Sequence, residues 1–288
     1  MRDAGFSPLA IIGAPRSGTN MLRDALVGFP GVATWPCDEI NYIWRHGNLR
    51  YPSDEFPAEH ADARVQRYIR AQFDWVAKRY GAQVVVEKTC ANSLRVPFVD
   101  RVVPETRYVF IRRDGLDAVG SAMQRWKAEL DIPYLARKAR FVPVTDLPYY
   151  ALRYFGARAY RLVSREGRVG LWGPQLDDMD ELLARRPLDE VCALQWQRCV
   201  ESSAQAFEAM APERWIEVGY EDFVRNPAHE MERIVSFAGI DADVGAIERA
   251  VAGVRDTSIG KGRAALDEGA RARLEALVHD TLARYGYA

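Results

Sequence analysis

The chain has 288 residues, 48% of them apolar, with 21 Gly and 15 Pro. That suffices for one large α/β core or at most two small ones. Its 39 Lys and Arg nearly cancel 40 Asp and Glu, which argues against a sequence-independent nucleic-acid binder and means that any anion site is built from a few aimed cations.

The first predicted element is the short apolar run Leu9–Gly13, a strand that ends in a Gly/Pro/Ser loop. It is too short for a signal-peptide core and lacks a small-residue cleavage site. No window reaches the roughly 20 apolar residues that cross a bilayer. A helix follows over Asn20–Val27, with Met21, Leu22, Ala25 and Leu26 on one face. Ala63–Arg79 reads as an amphipathic helix, Val84–Glu87 and Arg107–Ile111 as strands, and Asp114–Trp126 as a helix. Lys127–Asp180 is irregular, rich in aromatics and broken by Pro133, Pro143, Pro148 and Pro174, and reads as a lid or insertion. Leu188–Met210 reads as a long helix, Trp215–Val218 as a strand, and Pro227–Ala238 and Glu268–Tyr285 as helices.

Short, fully apolar strands separated by helices predict a parallel sheet covered on both faces. The expected architecture is thus an α/β fold: a P-loop-like central parallel sheet with helices on both faces, in a single domain over 1–288 with the lid at about 127–180. Ligands in such folds bind at the carboxyl ends of strands. Cys37, Cys90, Cys192 and Cys199 form no CxxC pair and no metal spacing. That usage fits a reduced, cytoplasmic setting, with Cys192 and Cys199 packing as small apolar groups. No metal is expected.

The loop after the first strand reads Gly13-Ala14-Pro15-Arg16-Ser17-Gly18-Thr19-Asn20. Backbone N–H groups at a helix start form an anion site. Gly13 and Gly18 permit tight turns, Arg16 adds a planar fork of donors, and Ser17, Thr19 and Asn20 add more. Gly13 and Gly18 keep the glycine spacing of a Walker loop, but Thr19 stands where that loop needs Lys. This is an anion loop without the cation of ATP chemistry.

On these residues the segment resembles the 5'-phosphosulfate loop of sulfotransferases that use PAPS (3'-phosphoadenosine 5'-phosphosulfate), whose signature is P-[KR]-S-G-T; the Arg form is similar to the bacterial and Golgi branches. The family places an Arg at a later strand end and a Ser eight residues on, and the resemblance implies that Arg113 and Ser121, in Arg113-Asp114-Gly115…Ser121, hold the 3'-phosphate. Tyr220-Glu221-Asp222-Phe223 followed by Asn226-Pro227 resembles the family's Y-E-D-[LF] segment, with Tyr220 near the nucleotide and Glu221 and Asp222 structural. The closing basic segment, Ser258-Ile259-Gly260-Lys261-Gly262-Arg263, supplies Ser258, Lys261 and Arg263 as further 3'-phosphate candidates.

Sulfuryl transfer needs a base for the acceptor hydroxyl, a cation at the leaving oxygen and a cradle for the sulfuryl group. The family carries a functional Lys where Lys88 ends its strand in Glu87-Lys88-Thr89-Cys90. Cytosolic members follow Lys-Thr with a His base; here Cys90 stands in its place. Other branches use a carboxylate after the first helix, which implies Glu39, with Asp38 and His46 as alternatives. The expected catalytic set is Glu39, Lys88 and Arg16; the expected nucleotide contacts are Arg16, Ser17, Gly18, Thr19, Asn20, Arg113, Ser121, Tyr220, Ser258, Lys261 and Arg263. The resemblance implies an O-sulfotransferase with PAPS as donor, PAP as product and a hydroxyl-bearing small molecule, glycan or lipid-like acceptor as partner. A P-loop-type kinase or NTPase and a non-catalytic PAP-binding protein are the alternatives. Oligomeric state and acceptor identity are not encoded in these motifs.

Overall fold

Five strands run parallel in the order β2-β3-β1-β4-β5: β1 Ser7–Ile12, β2 Val32–Ala33, β3 Val84–Lys88, β4 Arg107–Arg112 and β5 Trp215–Gly219. The computed structural model describes residues 5–126, 140–150, 152 and 172–288. Register sets Leu9 beside Val86 of β3 and beside Arg107 of β4, so the carboxyl ends of β3, β1 and β4 open on one edge.

Side chains alternate across a strand, and the alternation sorts the core into two layers. Ala10, Ile12, Val85, Tyr108 and Phe110 face one layer, against Val65, Ile69 and Phe73 of α3 (Ala63–Tyr80) and the helix α4 (Val96–Val102). The same layer takes in α5 (Gly115–Trp126) and the long α7 (Leu188–Glu208), which the short α6 (Met179–Arg185) precedes. Leu9, Ile11, Val86, Val109 and Ile111 face the other layer, which holds α1 (Thr19–Leu26), α8 (Tyr220–Arg225), α9 (Pro227–Ala238) and α10 (Val244–Val251). With apolar groups removed from water on both faces, the strands need no polar alternation. A one-turn helix, α2 (Asn41–Trp44), follows Glu39; α11 (Lys261–Ala264), α12 (Glu268–Leu277) and α13 (His279–Arg284) close the chain.

The predicted elements match the observed ones closely, with two differences. Glu268–Tyr285 is not one helix: Val278, with φ −120°, interrupts it. The two-residue strand β2 and helices α2, α4, α6, α8, α10 and α11 are additional, because each has eight residues or fewer and so carries little periodic signal. Of the lid, 127–139, 151 and 153–171 lie outside the described residues. Residues 144–146 form a 3₁₀ turn, and Trp172 packs against the core that Trp196 joins. Cys192 and Cys199 are buried in that core. Among the described residues no helix is long and apolar enough to cross a membrane.

Candidate active site

The first loop departs from ordinary backbone geometry. Arg16 has φ +70°, the one positive value at a non-glycine position among the described residues, and Gly18, which precedes α1, has φ +86°. Left-handed residues close together turn consecutive N–H groups toward one concavity, an anion-binding arrangement. A left-handed Arg costs about 1–3 kcal/mol, and such outliers gather at ligand clamps. Gly13 and Gly18 are each needed: a Cβ at Gly13 would lie 2.5 Å from the Ile111 carbonyl oxygen, and one at Gly18 2.5 Å from Tyr220 Cδ2.

The end of β4 meets this loop directly. Arg113 Nη1 donates to the Arg16 carbonyl at 2.9 Å, and its Nη2 donates to the Ser258 carbonyl at 2.6 Å and to Asp117 Oδ2 at 3.2 Å. The Arg113 guanidinium lies over the Tyr220 ring at 4.4 Å, a cation–π contact. Arg16 Nε donates to Ser121 Oγ at 2.8 Å. The two anion pockets expected at separate strand ends are therefore one continuous cluster of Arg16, Arg113, Ser121, Tyr220 and Ser258. Burial, with smaller contributions from the charges of Arg125 and Arg113, lowers the pKa of Arg16. Two buried polar atoms here lack partners, Ser17 Oγ and Arg113 Nε, and unpaired buried donors are costly. Unpartnered donors beside a left-handed loop with two Arg side chains fit a phosphorylated ligand.

The remaining nucleotide candidates divide. Thr19 is buried and its Oγ1 lies 3.6 Å from Cys90 Sγ, joining the loop to the end of β3. Asn20 is exposed on the first turn of α1, and Lys261 is exposed. Ser258 reaches the cluster through its carbonyl. The Arg263 guanidinium is taken by Asp114 at 3.1 Å, by Glu275 at 2.5 Å and by the Tyr287 carbonyl at 3.2 Å; it belongs to a structural network, and only its backbone N–H turns toward the cluster, donating to Asp117 Oδ1 at 3.0 Å.

At the end of β3, Lys88 Nζ donates to Glu39 Oε1 at 3.0 Å, and the Cys90 N–H donates to the same oxygen at 3.3 Å. The Lys88 side chain is 2% exposed and that of Glu39 30%. Burial works against the Lys88 charge, but Glu39 beside it, with a smaller contribution from Cys90, outweighs this and leaves its pKa raised. The adjacent Glu87 points to the opposite face, as strand alternation requires, and accepts from Trp44 Nε1 and Asn92 Nδ2, each at 3.0 Å. Thr89 Oγ1 accepts from the Ile40 N–H at 3.2 Å, tying the Glu39 segment to β3.

The alternative bases are engaged elsewhere. Asp38 lies 3.6 Å from Arg23. His46 is buried, 2.8 Å from Asp146 and packed on Tyr68 with ring centroids 3.9 Å apart. Burial pushes the Cys90 thiol far up, which makes it a poor base. Tyr42, whose pKa burial and the Glu39 charge raise, meets Tyr150 edge-on at 4.8 Å. Glu221 is structural: it accepts from the Asp114 N–H at 3.0 Å and from the Tyr287 hydroxyl at 2.9 Å. Reasoning from motifs missed Asp117 and Thr89 as organisers, because only tertiary contacts identify a carboxylate or hydroxyl that binds distant backbone.

The site thus lies where the first loop of a doubly covered parallel sheet is held by an Arg from the neighbouring strand end. The chain belongs to the sulfotransferase family, matching it over residues 8–162 and 168–243. The fold is similar to the sulfotransferase domain of the curacin biosynthetic pathway, at 13% identity over 98% of each chain with TM-score 0.56. It is also similar to the sulfotransferase domain of the Synechococcus PCC 7002 olefin synthase, at 16% identity over 98% of this chain and 96% of that one, TM-score 0.54. A mouse sulfotransferase, SULT7A1, solved with PAP, matches at 11% identity over 96% of this chain and 84% of that one, TM-score 0.51. No curated protein matches.

Proposed function

We propose that this sulfotransferase takes the sulfuryl group from PAPS and places it on an acceptor hydroxyl, releasing PAP. The observation that carries this reading is the convergence of Arg16 and Arg113 on one cluster that retains two unpartnered buried donor groups. Arg113, Ser121 and Tyr220 would hold the 3'-phosphate end; Arg16, Ser17, Gly18, Thr19 and Asn20 would hold the 5'-phosphosulfate. Ser258 and Lys261 would border the site from the closing segment. Arg263 would act through its backbone.

Glu39 takes the proton of the acceptor hydroxyl as its oxygen bonds to sulfur. The bond from sulfur to the 5'-phosphate oxygen breaks, and Lys88 and Arg16 offset the charge that develops on that leaving oxygen. The Lys88–Glu39 contact supports this division, because it sets base and cation side by side at one strand end. The aromatic pair of Tyr42 and Tyr150 would suit an acceptor with an apolar or flat body next to its hydroxyl.

Incubation with sulfur-labelled PAPS and a panel of phenols, sugars and lipid-like alcohols tests the reading. Acceptor-dependent release of PAP supports it. Failure of PAP to bind would overturn it, and ATP turnover dependent on Mg²⁺ would replace it with a nucleotide kinase or NTPase.

A further inference from the structure

Asp117 is a buried carboxylate, 1% exposed, inside a cluster that otherwise collects cations. Beside a bound phosphate its charge is repulsive, so its presence calls for another use. Its oxygens face three donors. Oδ2 accepts from the Gly260 N–H at 2.6 Å and from Arg113 Nη2 at 3.2 Å, and Oδ1 accepts from the Arg263 N–H at 3.0 Å. Two of these donors are backbone groups of the closing segment, and the third is the Arg that also holds Ser258 of that segment at 2.6 Å.

Packing fixes the same contact. α5 carries Asp117 and, one turn on, Gly120, and α11 of the closing segment lies flat on it. A Cβ at Gly120 would lie 2.2 Å from the Gly262 carbonyl oxygen, and one at Gly262 would lie 2.1 Å from the Asp117 carbonyl oxygen. The two backbones approach so closely that only glycine fits at either position. The segment is thus docked on α5, and Asp117 accepts two of its backbone N–H groups.

We propose that Asp117 is a positioning residue: it docks the closing segment and fixes Arg113, so that both stand where the 3'-phosphate wall needs them. This rests on the nucleotide reading of the cluster given above. The sign of one substitution separates docking from simple electrostatics. Asp117→Asn removes a negative charge at nearly constant shape. If the carboxylate only opposed the phosphate, the variant would bind PAP more tightly. If it docks the segment, the amide nitrogen faces donors and binding weakens, by about tenfold for lost charge-assisted bonds.

PAP is titrated by calorimetry into the parent chain, Asp117→Asn and Gly262→Ala, and trypsin nicking after Arg255, Lys261 and Arg263 is followed without nucleotide. The expected result is about tenfold weaker PAP binding in both variants, with faster nicking and a raised donor KM at a kcat within about threefold. Gly262→Ala lifts the segment while leaving Asp117 intact, so it stands in should the Asn variant fail to fold. PAP binding that tightens or stays level, with nicking at the parent rate, overturns the proposal. If the parent chain binds no PAP, the nucleotide reading falls, while the nicking rates, measured without ligand, still decide whether Asp117 docks the segment.

Discussion

The side chain of Arg113 holds the backbone of Arg16: Nη1 donates to that carbonyl at 2.9 Å, across the gap between the ends of β4 and β1. The left-handed turn at Arg16 is therefore braced by the same guanidinium that would meet the 3'-phosphate under the proposed reading, and the loop and the end of β4 are joined as one unit.

Arg113→Ala and Ser121→Ala should both weaken PAP, but unequally. Arg113 is buried, 6% exposed, and its loss leaves the Asp117 carboxylate with one fewer partner. We expect about 1.5–3 kcal/mol of lost PAP affinity, roughly 10–100-fold, together with a lower melting temperature. Ser121→Ala removes one hydroxyl, which accepts from Arg16 at 2.8 Å and would reach the 3'-phosphate, so about 0.5–1.5 kcal/mol of affinity should go with little change in stability. Calorimetry and thermal melts separate the two, and unchanged PAP affinity in both variants would remove this cluster from the nucleotide site.

Gly18→Ala should damage fold and loop together. The residue has φ +86°, and a Cβ would press on Tyr220, the ring beneath Arg113. Overpacking and left-handed strain predict a loss of about 1–3 kcal/mol in a urea melt. PAP affinity should fall as Tyr220 and Arg113 shift. A variant as stable as the parent would mean that the turn is not held as described.

Glu87 predicts a pH dependence of stability. It is fully buried; burial raises its pKa despite hydrogen bonds from Thr89, Trp44 and Asn92. A carboxyl raised in the folded state keeps its proton longer than in the unfolded chain. As pH climbs above the ordinary carboxyl value of 4.5 the unfolded state ionises first, and folded stability declines by up to about 1.4 kcal/mol per pH unit until the folded value is passed. Glu87→Gln cannot titrate. Its stability deficit against the parent should be greatest at low pH and narrow as pH rises, in urea melts from acid to neutral pH. A deficit independent of pH would rule out a raised Glu87.

The extent to which this molecule could be read in advance follows from the range of its contacts. β1, its loop and α1 are contiguous, so Gly13, Arg16 and Gly18 announce themselves by spacing, and long periodic segments such as α3 and α9 appear within a residue of their observed bounds. The Lys88 and Glu39 roles rest on a family resemblance, and the structure brings that pair into contact. What sequence could not supply is the meeting of Asp54 with Arg45 at 2.9 Å and Arg95 at 3.2 Å, or of Asp117 with Gly260, since neither carboxylate differs locally from a surface one. The Arg263 expectation shows the same gap: a basic residue in a loop looks free until Asp114 and Glu275 are found beside it.

Glu39 and Lys88 together carry the strongest expectation. If Glu39 is the base, Glu39→Ala and Glu39→Gln should each lower kcat by about 10²–10⁴, with PAP affinity within about threefold of the parent, because the carboxylate serves the acceptor. Lys88→Ala should lower kcat too, and should also cost stability, since it removes the cation that donates to Glu39 Oε1 at 3.0 Å. Lys88 has a raised pKa, so its charge, and the stability drawn from the Glu39 pair, is fully present below the ordinary value of 10.5 and is lost only as pH rises beyond it. An alkaline limb of kcat between pH 7 and 9 therefore cannot come from Lys88. Any acid limb should belong to the base and vanish in Glu39→Gln, leaving a flat, low profile. An acid limb that survives in Glu39→Gln but disappears in Asp38→Asn or His46→Ala would move the base to that residue, and the Lys88–Glu39 contact would then be a structural ion pair.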